Sequence, residues 1–546
     1  MKLDRRALSR DVTAGTTLGL VSVPDGLAQG LLAGLNPLAG LYGYMVGTLA
    51  GALTTSSVFM CVQATGAMSV VISDVPQVRG QPDSAGALAT LGLLTGAIMV
   101  IAGVLRLGSM IRFVPNAVLT GFINAVGVNI ILAQLADATG YDSDQGNRVV
   151  RLIDTALHPR GWSIQVLVAA LVTLAVILLL ERTRIGPLAL VAGVVVTSTL
   201  VGVLHLSEVP LVRDITEIPQ SLPGLQAPAL SHVFDLLIPA FALAFVGLIQ
   251  GAAISQSVPN PDGRYPDSSG DFRGQGMANI AAALLRGMPV GGSMSGTALV
   301  RTAGATGRIA NIVAAGVMAA VILLFGGLAG LIAMPSLAAL LMLVGFRTLK
   351  PDQMRTVWQT GPTQATTMTL TFVLTLSIPL QYAVVAGVAM AILLFVVRQS
   401  NKVKVKRWIF REGSAFPVEE PVPDVLPGGE VVVLAVSGSL FFASAQIVEN
   451  QLPDVGPDSA GAVVVLRLRG PEDLGSTFIQ TMLRYAAKLR REHCALVVAG
   501  VGQRVLDQLE RTGALAELGP ENVFPASAQV GEALGSALER ARELSG

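Results

Sequence analysis

Long apolar runs recur from about residue 13 to residue 398, and they limit the fold more than any other feature of the sequence. The run from Ile164 to Leu180, "IQVLVAALVTLAVILLL", contains no charged residue and approaches the ~20 residues that a helix needs to cross the hydrocarbon of a bilayer. Charged residues make up 13% of the chain, about half of the ~25% found in soluble proteins. The sequence therefore predicts an α-helical protein whose partner is the lipid bilayer and not a nucleic acid.

About fourteen apolar segments follow one another in this part of the chain. They start near residues 13, 39, 64, 86, 116, 163, 186, 234, 275, 294, 309, 328, 364 and 381. An even number of spans places both ends of the membrane part on one side. Lys and Arg concentrate in short cytoplasmic loops, and the basic residues of one predicted side are Arg5, Arg6, Arg10, Arg106, Arg112, Arg182, Arg184, Arg347, Lys350 and Arg355. We therefore predict a multi-pass protein of the cell (inner) membrane with both termini in the cytoplasm.

The chain changes character at the basic run "RQSNKVKVKRWIFREG", residues 398–413. We assign residues 1–12 to a cytoplasmic lead-in, 13–398 to a membrane domain, 399–429 to a linker and 430–546 to a cytoplasmic soluble domain. The last part alternates strand-like segments such as "GAVVVLRLRG" with amphipathic segments such as "STFIQTMLRYAAKLRREH". This alternation predicts a small α/β fold.

Two of the apolar segments are too short or too polar to span a bilayer alone. They are "VFMCVQATGAMSVV", residues 58–71, and "GGSMSGTALVRTAGA", residues 291–305, each the third of a block of seven. Short, glycine-interrupted segments at matching positions in two halves are typical of inverted-repeat transporters, whose substrate lies near the membrane midplane. We therefore predict two inverted repeats of seven segments, each with one discontinuous helix.

A helix that begins inside the bilayer leaves its first backbone N–H groups unpaired, and these need a partner. The positive end of the helix dipole favours an anion as that partner. The predicted anion-site residues on these two segments are Gln63, Thr65, Gly66, Ser293, Ser295, Gly296 and Thr297. Close packing of helices through small residues is the alternative interpretation of the same pattern.

Three further segments are distinctive: "VPDGLAQGLLAGLNPLAGLYG" (residues 23–43), "VLTGFINAVGVNIILAQLADATG" (118–140) and "GDFRGQGMANIAAALLRGMPVGGSMSGTA" (270–298). They resemble the sulfate-permease (SulP) family of anion transporters. The C-terminal part is similar to a STAS domain. The resemblance implies a core and a gate domain, a homodimer, an elevator-like movement of the core, and an anion held between the third and tenth helices. It also implies contacts to the anion from the first and eighth helices, where we place Gln29 and Gln250.

Asp25 stands where this family usually has Gln, after "VP" on the first helix. An ionisable group inside a membrane is costly and is a functional candidate by default, and a permanent negative charge would repel an anion. We therefore predict that Asp25 takes up a proton that moves with the anion. A carboxylate that caps backbone N–H groups, or is hydrated in the cavity, is the alternative.

Other positions also depart from the family pattern. Gly296 replaces the usual Arg after Ser295, and Ala64 replaces a usual Pro. Arg301 lies further along the same helix, and we interpret it as a snorkelling residue or a contact between core and gate. In the STAS-like part, Gly475 replaces the usual Asp before Ser476, which favours a role in folding, trafficking or dimer support over phosphorylation.

These patterns predict a proton-coupled secondary transporter of a small anion such as a carboxylate, bicarbonate, sulfate or a similar oxyanion. A nucleobase permease of the same fold, and an anion channel or membrane sensor with a STAS output, are the alternatives. Neutral Gln250 favours H⁺ over Na⁺ as the coupled ion. No enzyme motif, metal-ligand spacing or cofactor site is predicted. The charged residues near Arg148 are interpreted as a solvated external face.

Overall fold

The computed structural model of the chain describes residues 5–79, 83–108, 115–145, 147–183, 185–215, 219–411 and 416–545. The chain forms two compact units, Met1–Ala389 and Met390–Gly546. Arg112 and Arg184, two of the basic residues predicted on the cytoplasmic side, lie outside the described residues.

The first unit is helical, with two very short strands. Its helices are α1 (Arg5–Leu32), α2 (Pro37–Thr54), α3 (Gly66–Ser73), α4 (Ser84–Val104), α5 (Asn116–Ala133), α6 (Leu135–Thr139), α7 (Arg148–Leu157), α8 (Ile164–Leu180), α9 (Ala189–Val203), α10 (Val233–Ser257), α11 (Ser268–Leu284), α12 (Met294–Thr302), α13 (Ile309–Ala329), α14 (Met334–Thr348), α15 (Pro351–Thr360), α16 (Pro362–Ser377) and α17 (Leu380–Ser400), which contains the boundary to the second unit. The strands are β1 (Cys61–Gln63) and β2 (Gly291–Ser293).

A helix lies at each of the predicted apolar segments. Within the described ranges, five helical stretches are long and apolar enough to cross a membrane: Ser84–Val104, Asn116–Ala133, Gly186–Val203, Leu230–Ser257 and Ile309–Ala329. The number of spans and the inverted repeats therefore stay predictions. The helices α6, α7 and α15 have no counterpart among the predicted segments, because they are short and carry polar residues at intervals that interrupt any apolar run.

Helices α1 and α2 are in contact backbone to backbone. A side-chain carbon added to Gly40 of α2 would lie 2.0 Å from the carbonyl oxygen of Gly26 and 2.6 Å from the backbone nitrogen of Gly30, both on α1. Small residues allow helices in membranes to approach this closely. The contact brings Tyr44 of α2 within hydrogen-bonding distance of Asp25 on α1.

The second unit contains a six-stranded sheet. Its strands are β3 (Lys404–Ile409), β4 (Val418–Glu420), β5 (Val431–Ser437), β6 (Val463–Arg467), β7 (Ala495–Val501) and β8 (Val523–Pro525), in the order β4-β3-β5-β6-β7-β8. The helices of this unit after α17 are α18 (Phe442–Glu449), α19 (Ser476–Arg491), α20 (Gln503–Arg511), α21 (Ala514–Leu518) and α22 (Glu532–Ser545).

Strands β5 to β8 are parallel, as expected when each strand returns through a helix. Alternate residues of β5 face the two sides of the sheet. Leu434 packs in the core with Phe478 of α19, whereas Val433 packs in the core with Ala537 of α22. The predicted α/β fold is thereby confirmed. Residues 399–429, which we predicted as a linker, contain β3 and β4, which pair antiparallel at one edge of this sheet.

The segment between α2 and β1 is fixed by one buried carboxylate. Asp271 of α11 is fully buried and accepts hydrogen bonds from the backbone nitrogen of Ser57 (2.8 Å) and from the hydroxyls of Ser56 (2.8 Å), Ser57 (2.5 Å) and Ser255 (2.6 Å). A buried charge is tolerated when donors replace its hydration. Asp271 therefore joins α10, α11 and the chain that leads into β1.

We expect Asp271→Ala to lower the free energy of unfolding by about 3 kcal/mol, because four donors would lose their acceptor in a buried site. The measurement is the thermal midpoint of the purified protein in detergent. Asp262→Ala is the matched control, since Asp262 is exposed and accepts one hydrogen bond from its own loop. Equal midpoints for the two variants would contradict the proposed role of Asp271.

Candidate functional site

The two interrupted segments meet in a two-stranded antiparallel sheet. Cys61 pairs with Ser293, and Gln63 pairs with Gly291. Helix α3 follows β1 and helix α12 follows β2, so the two helices begin at opposite ends of the same short sheet. The strand pairing supplies backbone hydrogen bonds where the helices are interrupted, as burial in a membrane protein requires.

Glycines let α10 pack directly on β2. A side-chain carbon on Gly292 would lie 2.8 Å from the Cα of Gly251, and one on Gly291 would lie 3.0 Å from the Cα of Gly247. These distances are shorter than any ordinary carbon contact. Gly291 and Gly292 of "PVGGSMSG" are therefore required by the approach of a neighbouring helix.

Two amide side chains of α11 hold the free edge of β2. Gln275 accepts a hydrogen bond from the backbone nitrogen of Gly292 (2.9 Å). Asn279 accepts from the backbone nitrogen of Val290 (2.8 Å) and donates to its carbonyl oxygen (2.6 Å), as a third strand would do. Sequence analysis missed both residues. The available signal was a pair of amides four residues apart in a helix of small and apolar residues.

A hydroxyl residue caps each of the two helices. Thr65 accepts from the backbone nitrogen of Met68 (3.5 Å) and donates to Oε1 of Gln250 on α10 (3.0 Å). Ser293 accepts from the backbone nitrogen of Gly296 (3.1 Å), and its hydroxyl lies 3.2 Å from that of Ser295, which is exposed. These contacts bring Thr65 and Gln250 together and join the α12 residues to the same sheet.

The caps leave the first helical N–H groups available. In the part of the chain that the structure describes, no side chain accepts from the backbone nitrogens of Gly66 and Ala67 in α3, or of Met294 and Ser295 in α12. Such groups have no partner within the helix and point along its axis away from it. They are suited to bind an anion that enters the space beside the sheet.

Two of the predicted site residues hold the sheet in place. Gln63 is buried, and its Nε2 donates to the hydroxyls of Ser22 on α1 (3.0 Å) and Thr48 on α2 (3.2 Å). Thr297 accepts from the backbone nitrogen of Cys61 (3.1 Å) and donates to the carbonyl oxygen of Ser293 (2.6 Å). The amide nitrogen of Gln63 and the hydroxyl of Thr297 are thus hydrogen-bonded within the protein, so both residues position the site.

A chain of hydrogen bonds links Asp25 to α3. Tyr44 donates to Oδ2 of Asp25 (2.8 Å), and Nε2 of Gln29 lies 3.4 Å from Oδ1. Oε1 of Gln29 in turn accepts from the hydroxyl of Ser69 (2.8 Å), which is one helical turn beyond Thr65. Asp25 is only partly buried, and no cationic group of the described residues lies within 4 Å of its carboxylate. Asp25 and Gln29 therefore lie beside the half-helix that carries Thr65.

Comparison with known proteins gives this arrangement a family. Residues 8–371 match the profile of the Sulfate permease family, and residues 423–530 match that of the STAS domain. The chain belongs to the sulfate permease family. It is accordingly a membrane transporter, as predicted, and not an enzyme.

Two relatives in this family cover nearly the whole chain. A protein named as the putative sulfate transporter YvdB of Bacillus subtilis is 24% identical over 522 residues, 94% of this chain and 96% of its own length. The bicarbonate transporter BicA of Synechocystis is 25% identical over 93% of this chain and 92% of its own. The inward-facing structure of the murine anion transporter Slc26a9 superposes with a TM-score of 0.86 at 18% identity. The superposition covers 100% of this chain and 92% of the murine chain. The two proteins therefore share a fold.

At Gly296, where the family resemblance implies an Arg, a side chain would have to displace the amide of Gln63 in this structure. A carbon added to Gly296 would lie 2.6 Å from Oε1 of Gln63 and 3.1 Å from Cβ of Cys61. The amide of Gln63 thus lies directly against the backbone of Gly296. Gly66 of α3 is similarly confined, since a carbon there would lie 2.4 Å from Cδ1 of Ile130 on α5.

Arg301 lies apart from this position. Its guanidinium is 5.8 Å from the centre of the Phe59 ring, and it lines a cavity of about 360 Å³ between α10 and α12. The hydroxyls of Ser257 and Thr302 in the same cavity donate to carbonyl oxygens of their own helices. Arg301 thus brings the positive charge to this cavity, while the hydroxyls around it stabilise the helices.

We expect Gly296→Ala to destabilise the protein by roughly 1–3 kcal/mol, because the added methyl group would collide with Gln63 and Ser293. Gly316→Ala on α13 is the matched control. That position is exposed with open space around it, so the change only improves helix propensity. Thermal midpoints in detergent provide the comparison, and a Gly296→Ala protein as stable as wild type would refute the steric account.

Proposed function

We propose that this anion transporter of the sulfate permease family is a secondary active transporter of a small oxyanion, such as a carboxylate, bicarbonate or sulfate, and carries it together with a proton. Relatives named as sulfate and bicarbonate transporters support this substrate class. The proposal includes a homodimer. It also places both termini and the STAS domain in the cytoplasm, a location that the positions of the basic residues favour.

The observation that carries the proposal is the meeting of two half-helix N-termini at one sheet. Among the described residues, no side chain accepts from their first N–H groups, and Ser295 adds an exposed hydroxyl beside them. Helix dipoles and N–H groups stabilise an anion without a fixed cation. A nucleobase permease of this plan typically binds its base through carboxylates on the eighth and tenth helices. This chain has the neutral Gln250 and Gly296 there, which favours an anion.

The packing supports division of the membrane unit into two moving bodies. Helices α1, α2 and α13 pack together, as do α4, α10 and α11, and the β1–β2 sheet joins these groups. Helix α5 packs on α14 and α16, and α8 packs on α9 and α14. We call α1–α4 with α10–α13 the core, and α5–α9 with α14–α17 the gate. An elevator-like displacement of the core would carry the half-helix site past the gate.

Asp25 provides the route for the proton in this proposal. A carboxylate beside an anion site repels the anion when it is ionised and does not when it is protonated. The bonds from Tyr44 and Gln29 hold its two oxygens in position. Protonation would thus favour anion binding on the more acidic side, and loss of the proton would favour release on the other. Na⁺ coupling would need a carboxylate where Gln250 lies.

The first test is uptake by proteoliposomes of labelled sulfate, bicarbonate, fumarate and chloride, with and without an inward proton gradient. We expect saturable uptake of one of these anions that the gradient stimulates. Asp25→Asn should lower the gradient-driven uptake rate by at least about tenfold. The variant should still exchange anions across the membrane. Asp235→Asn is the matched control, because Asp235 is exposed in the first turn of α10.

Three outcomes would overturn parts of the proposal. Gradient-driven uptake by Asp25→Asn at the wild-type rate would exclude Asp25 as the proton carrier. Uptake that rises linearly with concentration, without counterflow, would indicate a channel. A labelled nucleobase that is taken up when none of the anions is would indicate a nucleobase permease.

A negative charge placed at position 250 should weaken binding of the anion. We expect Gln250→Glu to raise KM by about tenfold or more, equivalent to ~1.4 kcal/mol of repulsion, with a smaller effect on the maximal rate. Gln256→Glu, an exposed position on the same helix, is the control for added charge. The measurement is initial uptake against anion concentration. An unchanged KM for Gln250→Glu would remove Gln250 from the site.

A further inference from the structure

An ion pair holds the far end of the half-helix α3. Asp74 is the residue at which α3 ends, and Arg148 is the first residue of α7. Nη2 of Arg148 lies 2.6 Å from Oδ1 of Asp74, and it also donates to the hydroxyl of Ser73 (2.8 Å). The two charged side chains are only 17% and 16% exposed. Our interpretation of Arg148 as part of a solvated external face was therefore wrong, because it is largely buried and paired.

The second oxygen of Asp74 joins a further element. Oδ2 accepts from the backbone nitrogen of Leu380 (2.8 Å), the first residue of α17. Such a carboxylate caps the start of that helix. Asp74 thus attaches α3, an element of the core, to α7 and α17, both elements of the gate.

We propose that the Asp74–Arg148 pair is the outer latch of the transport cycle, which closes the route from the anion site to the side opposite the cytoplasmic termini. The inference rests on the proposed movement of core against gate. Thr65 is at one end of α3 and Asp74 is at the other, about 13 Å away by helical rise. A displacement of the core that opens Thr65 to the outer side must pull Asp74 away from Arg148 and Leu380.

The position of the pair distinguishes it from the other polar contacts of this region. The buried carboxylate Asp271 joins elements of the core alone. The hydroxyl of Ser143 donates to Asp154 on α7 (2.5 Å) entirely within the gate segment. Removing one partner of a desolvated pair is costly because the other charge loses its partner. The latch therefore biases the protein towards the closed outer side until the core moves.

Cross-linking tests the latch. The variant Asp74→Cys/Arg148→Cys in the full chain would be joined by a short, reducible bis-methanethiosulfonate linker, since both native cysteines are buried. We expect the linker to reduce anion uptake at least about tenfold and dithiothreitol to restore it. The matched pair Ser143→Cys/Asp154→Cys should be cross-linked without loss of uptake. Full transport by the linked Asp74→Cys/Arg148→Cys protein would overturn the latch.

A second readout needs no transport and keeps this test separate from that of the function. Ser295→Cys would be labelled from the outer side with a membrane-impermeant maleimide, in the presence and absence of Asp74→Asn. We expect Asp74→Asn to raise the labelling rate severalfold, because the outer route opens more often. Equal rates would overturn the latch even in a protein that transports anions. Faster labelling in a protein that takes up none of the four anions would contradict only the proposed substrate class.

Discussion

Backbone polar groups must be paired inside a membrane protein, and the arrangement of this membrane unit follows from how it meets that requirement at two helix interruptions. The interruptions pair with each other as β1 and β2, so each strand satisfies its partner. The remaining edge of β2 is satisfied by Gln275 and Asn279 of α11. At the starts of α3 and α12, the first N–H groups have no side-chain acceptor among the described residues, so they can bind a solute.

The proposed anion site depends on dipoles more than on fixed charge. The family's usual cation is replaced by Gly296, whose neighbour Gln63 fills the space. Arg301 contributes its charge to a cavity that Met294 and Thr297 at the start of α12 also line. Under the proposed mechanism, the net charge of the occupied site is adjusted by the proton on Asp25 and not by a permanent arginine. Such a site can release its anion more readily than one with a buried cation, which suits a carrier.

Sequence patterns predicted the helical membrane unit, the α/β unit and the two interruptions, because apolar runs, alternation and glycine clusters are local signals. They could not show that the two interruptions pair, since Gln63 and Gly291 are distant in the chain. They also could not give the direction of a polar side chain. Gln63 and Thr297 are predicted to bind the anion, and the structure adds that Nε2 of Gln63 donates to α1 and α2 and that the hydroxyl of Thr297 bonds to the sheet. Gln275 and Asn279 were not predicted, because the sequence around an amide residue in a helix does not show which group its side chain will hydrogen-bond.

The residue-by-residue pairing of β1 with β2 has a consequence for the evolution of the family. Each interrupted segment contributes one strand, so neither interruption can lengthen, shorten or shift its register without a matching change in the other. The glycines of β2 are restricted further by α10, and Val62 of β1 packs just as closely on Gly47 and Gly51 of α2. Diversification of substrate within such a protein is therefore expected at the helix starts and the surrounding side chains, while the pair of strands changes only jointly.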